Sequence, residues 1–414
     1  MLPPPSLLLL GALALAAPDS AVRPVPPAGL AAAPRDSAPA ADSSRLAPGR
    51  TVDYLWVVRT ALLRPDDIER IVDRAHEMGV RGLLVQVVGR GDAFYRSDLL
   101  PPAEALAGAR REDPEFDPLA ALLARAHASG LEVHAWMNCL LVWSAPSRPR
   151  DPRHVLNQHP EWEAALADGR RLSRLSLAER RRLHLEGIYL AAARPEVRTW
   201  IARIAREIAQ RYPVDGIQLD YIRQPGVPVG FDPDTRARFA LRTGIDPGRL
   251  RAVAPAERAS IDSTWIAFQR EQITAVVREV ADSLSAVRPG LGLSAAVIAD
   301  TLVARAHNAQ DWTEWLREGL LQRVFAMCYA PVVQNVLDQL VGFASVLGVG
   351  GQVVPGIAVY NTPPALAAAK ILGARALGFP LLALYSYDAL AEQPGYWPSL
   401  RDRVHAAGPL GGHP

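Results

Sequence analysis

The chain has 414 residues, 49% of them hydrophobic, with a formal net charge of +2 and only two cysteines. That length accommodates one large domain or two ordinary ones with a sizeable core. Basic and acidic residues are interspersed rather than clustered, which argues against nucleic acid as a partner. Cys139 and Cys328 stand in no metal-ligand spacing and read as small buried residues at strand ends.

Residues 6–17 form an apolar run too short to span a bilayer. The run ends in small residues, and Ala14-Leu15-Ala16 fits a cleavage site, so residues 1–16 are expected to be a secretory signal. This predicts a secreted or periplasmic protein of a bacterial envelope. No cysteine lies near the site, so a lipid-anchored mature terminus is not expected. Residues 17–50, rich in Pro, Ala and Ser, read as a disordered linker. No later segment is long and apolar enough to cross a membrane, so no integral membrane segment is expected in the mature chain.

From residue 51 the pattern alternates between strand and helix. Residues 53–59 (DYLWVVR) are a β-branched and aromatic run. Pro65 and Asp66 open a helix whose apolar stripe is Ile68, Ile71, Val72, Ala75 and Met78, with Gly79 as its stop. Residues 81–88 (RGLLVQVV) are the second strand, and a helix from Asp117 to Gly130 leads to the third, residues 131–138 (LEVHAWMN). Residues 139–194 look long and irregular. Their His154, His159 and His184 show no metal-binding spacing, and His134, within the third strand, is better read as a core histidine than as a ligand. Pro195 starts an amphipathic helix, and residues 215–223 (DGIQLDYIR) follow as the fourth strand.

The second half is more regular. After a Pro- and Gly-rich excursion over 224–259, a long helix spans 261–287. Strands are expected at 291–298, 323–329, 353–360 and 380–387, with helices at 311–318, 332–346, 363–377 and 397–406. Alternation of this kind implies parallel pairing, and near-continuous apolar strands imply burial on both faces. Eight such units make a (β/α)8 TIM barrel over residues 51–407, with long loops after strands 3 and 4 and a flexible tail at 408–414. An open doubly wound sheet is the competing architecture, but residues 60–65 offer no Gly-rich dinucleotide loop.

In such a barrel the strand ends meet in one bowl. Along the fourth strand, Ile217 and Leu219 share one face while Gln218 and Asp220 share the other, which a closed barrel turns inward. The plainer reading of Asp220 is a helix cap or a partner of Arg223. The remaining strand ends contribute Trp56, Arg59, Gln86, Arg90, Asp92, Trp136, Asn138, Tyr221, Arg223, Asp300, Tyr329, Tyr360, Tyr385, Tyr387 and Asp388. Aromatic faces stack on sugar rings while amides, Asp and Arg bind hydroxyls, so a polysaccharide or oligosaccharide is the expected partner. Phosphate fits less well, because the cluster from Gly348 to Gly351 precedes the seventh strand instead of following it. No metal or other cofactor is expected.

Several of these segments together resemble the glycosyl hydrolase-like 10 family. They are Gln86-Val87 with residues 91–97 (GDAFYRS), residues 134–138 (HAWMN), 215–223, 311–316 (DWTEWL), 327–329 (MCY) and 385–387 (YSY). The resemblance implies a secreted or lipid-anchored bacterial (β/α)8 glycosidase. One group of members is similar to enzymes that cut peptidoglycan strands stripped of peptides, which implies a cell-wall or other amino-sugar polymer. The chain departs from the family at residues 294–300 (SAAVIAD), where an S-P-F-G-like turn is usual. Glycoside hydrolysis needs two carboxyls. Asp220 is expected to be one, and Asp300 or Asp388, with Asp92 a weaker third, the other. The alternatives are a non-catalytic glycan-binding barrel and a cell-wall interaction protein.

Overall fold

The computed structural model describes residues 50–248 and 255–407. The expected signal, all but the last residue of the expected linker, and the expected tail lie outside the described residues. The strands are β1 (Tyr54–Val57), β2 (Gly82–Val88), β3 (Glu132–Asn138), β4 (Leu141–Trp143), β5 (Ile188–Tyr189), β6 (Gly216–Asp220), β7 (Gly292–Ile298), β8 (Arg323–Cys328), β9 (Val353–Ala358) and β10 (Ala383–Tyr385). All except β4 and β5 close into one eight-stranded barrel, in the order β1-β2-β3-β6-β7-β8-β9-β10 and back to β1. Every pairing around that ring is parallel.

Helices form where the sequence supplies starts, stops and one apolar stripe. Pro65–Met78 has Pro in its first turn with Asp66 and Asp67 beside it, buries Ile68, Ile71, Val72, Ala75 and Met78, and stops at Gly79, whose φ of 66° a side chain would resist. Pro195–Arg211, before β6, likewise has Pro in its first turn with Glu196 beside it and one buried apolar stripe, but ends at Tyr212 in extended backbone. These stripes pack against the outward strand residues, Ile217 and Leu219 among them, in one continuous outer core. Among the described residues no helix is long and apolar enough to cross a membrane.

The inward residues form a separate cluster of Tyr54, Trp56, Leu84, Trp136, Phe325, Val354, Leu381 and Ala383, so the lumen is packed and not a pore. Large rings fit only because glycines face them. A Cβ on Gly216 would lie 2.2 Å from His134 Nδ1, and one on Gly356 would lie 2.7 Å from Trp56 Cη2. Cys139 and Cys328 are free and buried.

Four segments differ from expectation. Residues 139–194 are not irregular: β4 and β5 pair antiparallel, and short helices including Val155–Gln158 and Leu177–Arg182 lie between them. Their short apolar runs are too brief to show a period. The excursion before the long helix Pro255–Val287 contains a helix of its own, Pro233–Thr243, started by the Asp232 side chain. A further helix, Thr301–His307, follows β7. The last barrel strand is short because Ser386 caps a helix, Tyr387–Ala391.

A substitution at the tightest lumen glycine tests this packing. Gly216→Ala should lower stability by ~1–3 kcal/mol through the clash with His134, read as a lower urea midpoint at unchanged slope. An unchanged midpoint would mean that the ring layer is not close-packed.

Candidate active site

Asp220 ends β6, and its carboxyl faces into the bowl. The register sets it beside Asn138, the last residue of β3. The side chain is only 7% exposed. Tyr221 follows with φ 48°, a left-handed conformation strained for a bulky residue. That turn brings the Tyr221 N–H back to donate to Asp220 Oδ1 at 2.6 Å. Burial raises the Asp220 pKa to about 6, against the opposing influence of the Tyr221 N–H, the Arg223 charge and the Trp136 indole. Trp136 Nε1 is itself buried with no partner in good hydrogen-bond geometry.

Glu186 is a second carboxylate near Asp220, and its charge adds to the upward push on Asp220. It precedes β5 in the long insertion. Its side chain is 34% exposed, so water reaches it. Arg223 Nη2 donates to Glu186 Oε1 at 2.8 Å, and Tyr189 Oη donates to Oε2 at 3.0 Å. Against the effect of burial, the Arg223 charge and these hydrogen bonds hold Glu186 below its ordinary pKa. Nothing in the local sequence around Glu186 marks it. Only the hairpin that returns residue 186 to the barrel mouth reveals it.

The floor is a chain of amides. Trp56 Nε1 donates to Gln218 Oε1 at 2.8 Å, and Gln218 is fully buried with its Nε2 unpartnered. Arg59 Nη1 donates to Gln86 Oε1 at 2.8 Å, Gln86 Nε2 to Asn138 Oδ1 at 3.1 Å, and Asn138 Nδ2 to the Gly89 carbonyl at 2.8 Å. One wall is aromatic: Tyr329, Tyr360 and Tyr385 contact one another with ring centroids 5.1–6.3 Å apart. Tyr360 is 38% exposed. The buried Lys370 ammonium donates to the Ala330 carbonyl at 2.6 Å and to Thr362 Oγ1 at 3.0 Å, tying together the loops that carry Tyr329 and Tyr360.

Five other expected residues have local contacts. Asp300 is exposed, and its Oδ1 accepts from the Leu302 and Val303 N–H groups as the cap of Thr301–His307. Asp388 accepts from the Val58 N–H at 3.0 Å and from Thr60 Oγ1 at 3.4 Å, fastening the end of β1. Asp92 accepts from the Arg90 N–H at 2.8 Å within its own turn. Tyr387 lies in a helix and packs on the outer core, outside the aromatic wall. Arg90 lies over Trp143 and donates from Nε to Ser144 Oγ at 2.9 Å.

A cavity of about 350 Å³ opens at the opposite, amino-terminal end of the barrel, lined by Arg81, Glu132, His134 and Asp215 among others. Its carboxylates are engaged: Glu132 with Arg81 at 2.9 Å, and Asp215 with His127 at 2.9 Å. That end of such barrels serves stability rather than chemistry. Among the described residues no group of three or more His, Cys, Asp or Glu is placed to hold a metal.

Fold and site together define a (β/α)8 barrel with a buried carboxyl and an aromatic, amide-rich bowl at the carboxyl ends of its strands. The glycosyl hydrolase-like 10 family model matches residues 50–346, and the chain belongs to that family. Glycosyl hydrolase DigH of Escherichia coli strain K12 is 26% identical over 288 residues, covering 63% of this chain and 57% of that protein. Glycosyl hydrolase YngK of Bacillus subtilis is 24% identical over 222 residues, covering 53% and 37%. The chain thus spans little more than half the length of the first of these relatives and less of the second. Among solved structures, alpha-L-fucosidase isoenzyme 2 from Paenibacillus thiaminolyticus superposes with a TM-score of 0.55 at 14% identity, covering 86% of this chain and 49% of that one. The catalytic domain of beta-amylase from Paenibacillus polymyxa also gives 0.55, at 10% identity, covering 88% and 100%. These likenesses establish the barrel fold.

The raised Asp220 pKa has a consequence for stability. Keeping this carboxyl ionised inside the fold costs ~3 kcal/mol relative to its ordinary value. An unfolded chain ionises it near pH 4 and the folded chain near 6, so the cost is full above pH 6 and vanishes below about 4. Asp220→Asn should therefore be more stable than the wild type at pH 7.5, with the gap closing as pH falls from 6 to 4. Urea unfolding at both ends of that range measures it; a gap independent of pH would contradict the burial.

Proposed function

We propose that this protein is a glycoside hydrolase in which Asp220 is the general acid and Glu186 the ionised partner. The observation that carries the reading is the opposite displacement of two neighbouring carboxyls: burial raises Asp220 to about 6, while Arg223 holds Glu186 low. Two carboxyls pushed apart in this way divide acid from base. Asp220 donates its proton to the glycosidic oxygen as the bond from that oxygen to the anomeric carbon breaks. Glu186 serves the other side of the anomeric carbon, as nucleophile or as base for the incoming water. The tyrosine wall and the amide floor hold the sugar, and Arg223 positions Glu186.

The names of the relatives support glycosidic bond cleavage. The substrate we propose is a bacterial polysaccharide, with peptide-stripped peptidoglycan strands as the first to try, because the family resemblance points to the cell wall. Export by the segment at residues 1–16 to the envelope is part of the same proposal.

Purified protein should release reducing ends from such strands. Asp220→Asn and Glu186→Gln should each lose ~10²–10⁴-fold in rate. Release by wild type and Asp220→Asn alike would refute the assignment, and binding without release by the wild type would leave a glycan-binding barrel instead.

The pH profile provides a second test. The rate should fall above about pH 6 as Asp220 ionises, and fall at low pH as Glu186 protonates. Arg223→Gln removes the charge that holds Glu186 low, so it should move the acid limb to higher pH and leave the alkaline limb less affected. A merely structural loss would lower the rate at every pH without moving the limb.

A further inference from the structure

Arg59 and Arg90 stand at the ends of β1 and β2, and both are held by neutral partners. Arg59 rests against Gly89, where a Cβ would lie 2.3 Å from its Cδ, and binds Gln86 through Nη1. Arg90 binds Ser144 through Nε and lies 5.9 Å from the centre of the Trp143 ring. Among the described residues neither guanidinium forms an ion pair. The two are close enough that Arg90 adds to burial in pulling the Arg59 pKa down, whereas Asp92 and the phenols of Tyr221 and Tyr385 act the other way. Asp92 offsets part of the charge, but its Oδ1 is already taken by the Arg90 N–H. Arg59 packs on Gly89, the residue next to Arg90, and two partly buried cations this near each other without matching carboxylates are an unfavourable arrangement that an anion relieves. Arg59 Nε and Nη2 and both Arg90 Nη atoms remain as donors, in the planar fork that suits a carboxylate.

We propose that Arg59 and Arg90 form an anion subsite that selects a sugar bearing a carboxylate, either on the pyranose ring or appended through an ether side chain. The proposal rests on the glycosidase reading for its location beside the cleaved bond. Phosphate is disfavoured because the Gly-rich turn between residues 348 and 351 precedes β9 and does not follow a late strand.

Calorimetric binding with the full chain carrying Asp220→Asn tests the subsite without cleavage. The ligands are peptide-stripped peptidoglycan strands, the same strands with their lactyl carboxyls reduced to alcohols, and a uronic acid oligosaccharide with its own reduced form. At least one native ligand should bind about tenfold more tightly than its reduced counterpart, and which of the two does so identifies the source of the carboxylate. Adding Arg59→Gln or Arg90→Gln should bring that ratio close to one, while Arg59→Lys should keep part of it. Equal binding of native and reduced forms in both pairs, or a preference that survives both glutamine variants, would overturn the proposal. Wild-type protein that shows the preference yet releases no reducing ends would overturn the catalytic reading and leave the subsite standing.

Discussion

Withdrawing one carboxyl group from water is the constraint on which this molecule turns. A carboxylate in a low-dielectric site is costly, and the chain accepts that cost at Asp220 instead of pairing it directly with a cation. The lumen rings produce the condition. Trp56 and Trp136 belong to the packed lumen layer, Gln218 is bonded to Trp56, and the layer closes only because Gly356 leaves room for Trp56 and Gly216 for His134. Close packing and altered acidity therefore have one physical origin. The strained backbone at Tyr221 belongs to the same design, since it aims one N–H at the carboxyl and tempers the burial without cancelling it.

The insertion after β3 supplies what the barrel itself lacks. Barrel strands place side chains in fixed layers, and the parity of β6 can offer one carboxyl at the rim. Glu186 comes from the β4–β5 hairpin, and Arg223 from just beyond β6 fixes its position and its charge. Scaffold and loop divide the work: the rigid ring desolvates one acid, and the loop leaves the other reachable by water. On the far side, Lys370 ties together the segments that carry Tyr329 and Tyr360, while Tyr385 packs on the lumen layer through Trp56, so the aromatic wall is held from both sides of the sheet.

Much of the fold was legible in the sequence, for identifiable reasons. Parallel strands buried on both faces leave apolar runs, and amphipathic helices begun by proline and ended by glycine leave clear boundaries, so the eight units and their order could be read directly. The two-residue period put Gln218 and Asp220 on one face, and closure of the barrel decides that this face is the inner one. The rest depended on contacts that a linear reading does not contain. Asp300 looked like a strand-end acid, yet its nearest unpaired donors are the N–H groups of the helix it starts. Asp388 and Tyr387 belong to a short helix announced only by Ser386. Glu186 lies in a stretch with no periodicity, and its return to the barrel mouth depends on pairing between β4 and β5, strands separated by more than forty residues.

The ionisation of a single side chain decides the chemistry of this site. Titration of the Asp220 carboxyl by carbon-13 NMR, assigned through the Asp220→Asn variant, measures it directly. A midpoint near 6 is the predicted result; a midpoint near 4, the value of a carboxyl in ordinary contact with water, would contradict it.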